Sequence, residues 1–180
     1  MDVTLALIVI LILAVSVLTG FVVGHNKLRA ADVNVAEALA GIDVELSRRA
    51  ALIPALVHTV QAFAAHEKAV LGQVSAATAA LTSATRSTSV ARRSAAETEL
   101  DDAIAEVLAL RSAYPQLNSS NNFLDLQDDL ADTENKLAFA RQYYNDAVSQ
   151  LNRLIATIPW MYVARLAAVE ERDFYQMPRR

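Results

Sequence analysis

From Leu39 onward, apolar residues return in alternating steps of three and four. The series Leu39, Ile42, Leu46, Arg49, Ile53, Leu56, Val60, Phe63, Glu67, Val70 and Val74 is apolar at every position but Arg49 and Glu67. This spacing lines up side chains on one stripe of an α-helix, in the manner of a coiled-coil seam, and it leaves no room for strand alternation. Two further series repeat it. One is Leu100, Ile104, Val107 and Leu110. The other is Phe123, Leu126, Leu130, Thr133, Leu137, Ala140, Tyr144, Ala147, Leu151, Leu154 and Ile158. The expected fold is therefore all-α.

Local breakers divide the chain. Pro54 lies inside a first helix predicted from about Asn26 to Ala84, and it predicts a kink there, because proline removes one helical hydrogen bond and crowds the preceding turn. Thr82 to Ser89 is rich in side chains that bond their own backbone and marks the first break. A second helix runs from about Val90 to Ala113 and stops at Tyr114-Pro115. Asn118-Ser119-Ser120-Asn121 offers N-caps for a third helix. Pro159 separates that helix from a short last one, Trp160 to about Asp173. The expectation is an N-terminal transmembrane helix followed by an elongated antiparallel bundle of three long helices plus a short C-terminal helix. The second helix, at about 36 Å, is too short to cover the whole of the first. Leu39, Ile42 and Leu46 are thus expected to lack an intrachain partner and to favour a homo-oligomer through helix 1, or pairing with another membrane protein.

Val3 to Val23 is a run of 21 residues without a charge. As a helix it would be about 31 Å long, close to the hydrocarbon thickness of a bilayer. A cleaved signal peptide would need a basic leader and a shorter apolar core, whereas Met1-Asp2 is acidic and the run is long. Residues 1–24 are read as an uncleaved single-pass anchor and 25–180 as the bundle domain. Lys27, Arg29, Arg48 and Arg49 all follow the span, and no Lys or Arg precedes it. The positive-inside rule then puts the N-terminus outside and the bundle in the cytoplasm.

The composition closes several functional classes. With no cysteine there are no disulfides, thiolate nucleophiles or cysteine-ligated metals. The four glycines end at Gly72, so no clustered glycines form a phosphate-binding loop. A net charge of −4 argues against nucleic acid as a partner. His25, His58 and His66 have Val22, Ala55 and Phe63 three residues before them, so the Glu-x-x-His pairs of helical metal sites do not occur. No serine or threonine has a base at helical spacing. No metal, cofactor or catalytic residue is expected, and the chain is read as not an enzyme.

Charges on the seams are more informative. Arg49 and Glu67 stand where Leu or Ile is expected, and Arg48-Arg49 has Asp43 and Glu45 within helical reach. Glu134, Asn135 and Arg141 sit near the middle of the third helix. Arg48, Arg49, Glu67, Glu134, Asn135 and Arg141 form a candidate polar seam. It has two readings: interhelical ion pairs that fix register, or a polar site for a ligand or partner. Asp125, Asp128, Asp129 and Asp132 make an acidic stripe of the kind that usually faces solvent. Lys68, Arg86, Arg92 and Arg93, with no acid from Lys68 to Ala96, make a weakly basic hairpin tip. Trp160-Met161-Tyr162, Arg165, Leu166 and Phe174-Tyr175 read as a cap on the bundle end, a membrane-surface contact or a partner dock.

Several stretches together resemble the LemA family: Ile42 to Val57, Ala65-His66-Glu67, Tyr114-Pro115-Gln116-Leu117, Asn121 to Gln127, Leu130 to Arg141 and Tyr144 to Val148. The resemblance extends to the anchor and to Asn26-Lys27-Leu28. It departs in an alanine-rich first helix and in Trp160-Met161-Tyr162 after Pro159. It implies a bacterial membrane-anchored antiparallel helical bundle with a small external N-terminus, and it brings no established activity or catalytic residues. Relatives in magnetosome membrane systems favour a scaffold or adaptor for other membrane or cytoplasmic proteins. The second reading is a signal-transducing or sensor bundle, with Pro54 and the polar seam switching packing on ligand binding.

Overall fold

The computed structural model describes residues 2–176. Met1 of the expected anchor and the last four residues of the expected bundle domain lie outside the described residues. Among the described residues every regular element is helical: α1 (Asp2–Gln61), α2 (Lys68–Thr85), α3 (Val90–Ala109), α4 (Asn121–Ala156) and α5 (Trp160–Ala167). Two 3₁₀ turns, Leu110–Ser112 and Pro115–Ser119, join α3 to α4. Side-chain caps mark two of the starts. Ser89 accepts from the Arg92 amide at the head of α3, and Ser120 accepts from the Phe123 amide beside the head of α4. The chain falls into two compact units. One takes in the chain up to Glu37 together with Asp146–Arg172, and the other takes in Ala38–Asn145 together with the stretch from Asp173 onward.

In the larger unit the seams become the core. Ile42, Leu46, Ile53, Leu56 and Val60 of α1 are buried with Leu100, Ile104 and Val107 of α3 and with Phe123, Leu130, Leu137 and Tyr144 of α4. α1 continues through Pro54 without ending. The first helix nevertheless ends earlier than the periodicity implies. It stops at Gln61, and the chain turns over residues 62–67 before α2 begins. The turn is closed by Ala64 N–H donating to Val60 O at 2.8 Å and by Glu67 N–H donating to Ala64 O at 3.1 Å. Beyond it the buried stripe restarts in a new phase, on Leu71, Val74, Ala77, Leu81 and Ala84. Phe63, one of the seam residues, is left 40% exposed.

This turn overturns one expectation. A first helix running unbroken to Ala84 would carry α3 away from Ile42 and Leu46. The turn instead brings α2 and α3, which pack on each other, back along α1. Ile42 and Leu46 are both fully buried within the chain. Ile42 and Leu46 therefore have their partners inside the protomer and no longer argue for a homo-oligomer through helix 1, whereas Leu39 is half-buried.

The smaller unit is built on α1 up to Glu37, the end of α4, and α5. Leu28 packs with Val163 and Ala164, and Leu154, Ile155 and Trp160 close around them. α5 is shorter than the sequence predicts, ending at Ala167 and not near Asp173. Ala168 adopts the left-handed conformation (φ 51°), and the Val169 amide turns back to Ala164 O, a closure that ends helices. Asn152 then holds the Arg172 backbone through both its amide and its carbonyl, while the Arg172 guanidinium reaches Asp32 at 2.8 Å.

Candidate functional site

The larger unit contains a line of charges buried between helices. Arg49 of α1 places Nη1 2.9 Å from Asp101 Oδ1 and 2.5 Å from Glu134 Oε2. Glu134 of α4 also contacts Arg141, two turns along the same helix, at 3.4 Å. Arg141 Nη2 lies 2.5 Å from Glu97 Oε1 on α3. The other Glu97 oxygen accepts a 2.8 Å hydrogen bond from the Tyr175 hydroxyl. Near one end, Arg93 of α3 donates Nη2 to Thr85 O at 2.8 Å and sets Nε 3.1 Å from Asp43 Oδ1. That last contact is a charge contact: neither atom has hydrogen-bond geometry.

Local folding explains how the residues meet. Glu97 and Asp101 are four apart on α3, so both point from one face. Leu100 and Ile104 flank them and carry that face into the core. Tyr175 has no helix to place it. Asn145 does so, donating to Tyr175 O and accepting from its amide at 2.8 Å. The Tyr144 hydroxyl donates to Asp173 O at 2.9 Å, and the Tyr144 and Tyr175 rings meet edge to face. The tail thereby lies over Glu97, which is fully buried.

In the line from Asp101 to Glu97, two guanidinium groups face three carboxylates. The surplus negative charge settles on Asp101. Burial pushes its carboxyl up to about 6, and the neighbouring Glu97 and Glu134 add to the rise against the pull of Arg49. Burial also acts to raise Glu134, but Arg49 and Arg141 outweigh it, and Glu134 stays below the usual range. Burial acts to lower Arg141, and its bonds to Glu97 and Glu134 reverse that, so it is held more firmly protonated. Burial raises Asp43 despite Arg93. Burial next to Glu97 likewise raises the Tyr175 hydroxyl, which remains a donor. The arrangement is suited to holding helices in register or to receiving a charged group. It presents no nucleophile paired with a base.

The candidate seam residues divide. Arg49, Glu134 and Arg141 are brought together. Arg48 points outward, 55% exposed, with Glu45 at 3.7 Å. It shares a shallow cleft of about 230 Å³ with Asp129 and Asp132 of the acidic stripe and with Lys136. Asn135 is exposed. Glu67 sits apart at the α1–α2 turn, where it accepts from the Tyr114 hydroxyl at 2.9 Å and raises that phenol above its usual range. Pro54 is exposed and lines a separate groove of about 420 Å³ with Val57, His58, Gln61, Ser75 and Thr78. Among the described residues, no three of His, Asp and Glu gather as a metal cluster.

The residues missed from sequence are Glu97 and Asp101, together with the Arg93–Asp43 contact and the bond from Tyr175, which was read only as part of a C-terminal cap, to Glu97. A signal existed for two of them. Extending the α3 seam backwards from Leu100 in the same steps lands on Glu97 and then Arg93, so both stand at core positions. Arg93 therefore belongs to the interior and not to a basic hairpin tip.

The sequence pattern of the LemA family matches residues 38–180. The chain is 27% identical over 75 residues to two proteins of Paramagnetospirillum magneticum, magnetosome proteins MamQ 2 and MamQ 1, a stretch that covers 42% of this chain and 28% of each relative. It is 23% identical over 74 residues to magnetosome protein MamQ of Magnetospirillum gryphiswaldense, covering 41% of this chain and 27% of that relative. The match thus spans less than a third of the length of these relatives.

Proposed function

We propose that this chain, which belongs to the LemA family, is a single-pass membrane protein that works as a scaffold or adaptor and has no catalytic activity of its own. The observation that carries the reading is the first part of α1. From Val3 to Val23 it is free of charge, and side chains on every side of it are exposed, including Leu7 at 61%, Leu11 at 64% and Leu18 at 63%. A helix that is apolar all round is at home in lipid or in a protein core, and among the described residues none buries it. The charges that follow the span support a bundle in the cytoplasm and an N-terminus outside a bacterial cell membrane. The larger unit offers exposed apolar side chains on α4, Phe139 at 80% and Tyr143 at 56%, as a face for protein partners. The relatives named as magnetosome proteins supply no reaction to transfer.

The test uses the full chain with a C-terminal tag. Carbonate-washed membranes should retain it, and deleting residues 3–23 should release it. Protease added to intact cells should leave the bundle whole; cleavage from outside would overturn the orientation. Purification from mild detergent should bring down a reproducible partner that F139A/Y143A loses while its melting temperature stays put. A partner retained by that variant would remove α4 from the reading.

A second reading, a sensor with a polar intrabundle ligand site, is favoured by Asp101, whose carboxyl titrates at about 6 inside the charge line. It expects a small charged molecule to shift the melting temperature in the native chain but not in R49A.

A further inference from the structure

α5 has two apolar sides, and only one of them is used. Val163, Ala164 and Ala167 are buried against the Leu28 region of α1. On the other side Tyr162 and Leu166, four apart, are exposed at 58% and 76%, and Ile158, in the turn that precedes the helix, is exposed at 69%. Water is a poor solvent for such a row, and its placement identifies a better one. Trp160 packs directly on Gly24, the residue after the uncharged run, so that a Cβ on Gly24 would overlap the indole ring. Lys27 sets its ammonium 5.9 Å from the centre of that ring. The far end of α5 is held by Arg29, which donates to Ala167 O at 3.3 Å. The contacts on α1 thus run from Gly24 to Arg29, a rise of only about 8 Å. All of α5 is kept at the level where the apolar run ends.

We propose that α5 is an interfacial helix that seats its Tyr162–Leu166 face, with Ile158 of the preceding turn, in the headgroup region of the same membrane that α1 crosses. The occupant is lipid because α5 packs on α1 between Gly24 and Arg29, directly after the exposed apolar run of that helix. The aromatic groups of α5, Trp160 and Tyr162, are the two side chains that settle at membrane–water interfaces. Lys27, Arg153 and Arg165 supply cations on the same unit for anionic headgroups. Trp160, Lys27 and Arg153 line one open groove of about 410 Å³ with Gln150, Leu154 and Thr157, wide enough for a headgroup at the edge of the helix. The apolar face would enter about 5–10 Å below the phosphates. Gly24 has a purpose in this arrangement, since only a residue without a side chain lets the indole approach α1 so closely.

This inference rests on the reading of Val3–Val23 as a membrane span, and the test separates the two. The natural chain has no cysteine, so single cysteines can carry an environment-sensitive fluorophore. Y162C, L166C, V9C and E106C are each labelled in the full chain and reconstituted in vesicles of phosphatidylcholine and phosphatidylglycerol. Quenchers are a nitroxide near the lipid headgroup, a nitroxide deep in the acyl chain, and aqueous iodide. Labels at 162 and 166 should be quenched by the shallow nitroxide and lose access to iodide, the label at 9 should answer to the deep nitroxide, and that at 106 to iodide alone. If 9 reports depth while 162 and 166 answer to iodide, the span stands and the interfacial helix falls. If 162 and 166 answer to neither lipid nor iodide, a protein covers the face and the proposal falls as well. If 9 fails to answer to the deep nitroxide, the span itself fails and the inference with it.

Discussion

Arg141 and Glu97 meet at 2.5 Å with only 4% and 0% of their side chains exposed. A charge pair so deeply enclosed is expensive to desolvate, and replacing it whole by apolar groups is often neutral or better. Removing one partner is different, because it strands the other. E97A should therefore cost about 3–5 kcal/mol, leaving Arg141 with only Glu134. E97L/R141M should regain most of that loss. Denaturant unfolding of the detergent-solubilised chain, followed by helical circular dichroism, measures both. If the double variant is as unstable as the single one, the pair does more than satisfy itself.

Asp101 sets the pH response. Its folded pKa is raised from 3.8 to about 6, so as pH falls through about 6 the folded chain takes up a proton that the unfolded chain does not. Protonation there favours the fold, and the penalty carried at neutral pH disappears. Glu134 has the opposite sign. Its folded pKa is lowered, so it stabilises above its unfolded value and loses that contribution as pH falls further. The melting temperature should rise from pH 7 to about 4 and then fall. D101N should be more stable than the natural chain at pH 7 and should flatten the rise. A natural chain whose melting temperature declines steadily from pH 7 downward would contradict this assignment.

Tyr175 ties the tail to the buried charges. Y175F keeps the ring against Tyr144 but deletes the donor to Glu97 Oε2, leaving a buried carboxylate oxygen short of one hydrogen bond. A loss of about 1–3 kcal/mol is expected. Because the same bond holds the tail, trypsin should cut faster at the exposed Arg172 than in the natural chain. Equal cleavage rates would mean that the bonds from Asn145, Tyr144 and Asn152 hold the segment without the Tyr175 hydroxyl.

How much of this was legible follows from what each residue signals. The helices were, because a three-four repeat has one meaning in Phe123 to Leu151, and these seam residues are buried apart from the half-buried Ala140. The turn at residues 62–67 was not. It contains neither glycine nor proline, and its closure draws on Tyr114, 47 residues from Glu67. Arg49, Glu134 and Arg141 were visible as charges on or beside a seam. Glu97 was hidden by treating Leu100 as the start of a stripe that begins earlier. Tyr175 carries no local signal, since its partners come from α3 and α4 and its own segment has no period.

The glycines sort into two kinds, and the contrast is testable. Gly72 is in α2 with nothing within 4 Å of an added Cβ. G72A should stabilise the chain by about 0.5–1 kcal/mol, because alanine loses less backbone freedom in a helix. At Gly24 the added methyl would occupy the space of the Trp160 ring, and the ring, packed beside Leu28 and Val163, has to move. Trp160 is the one tryptophan of the chain, so its emission reports this site alone. G24A should shift that emission to longer wavelength in vesicles as the indole leaves α1, while the helical signal stays unchanged. G72A should leave the emission untouched. An unaltered spectrum in G24A would show that the indole does not rest on the helix at Gly24.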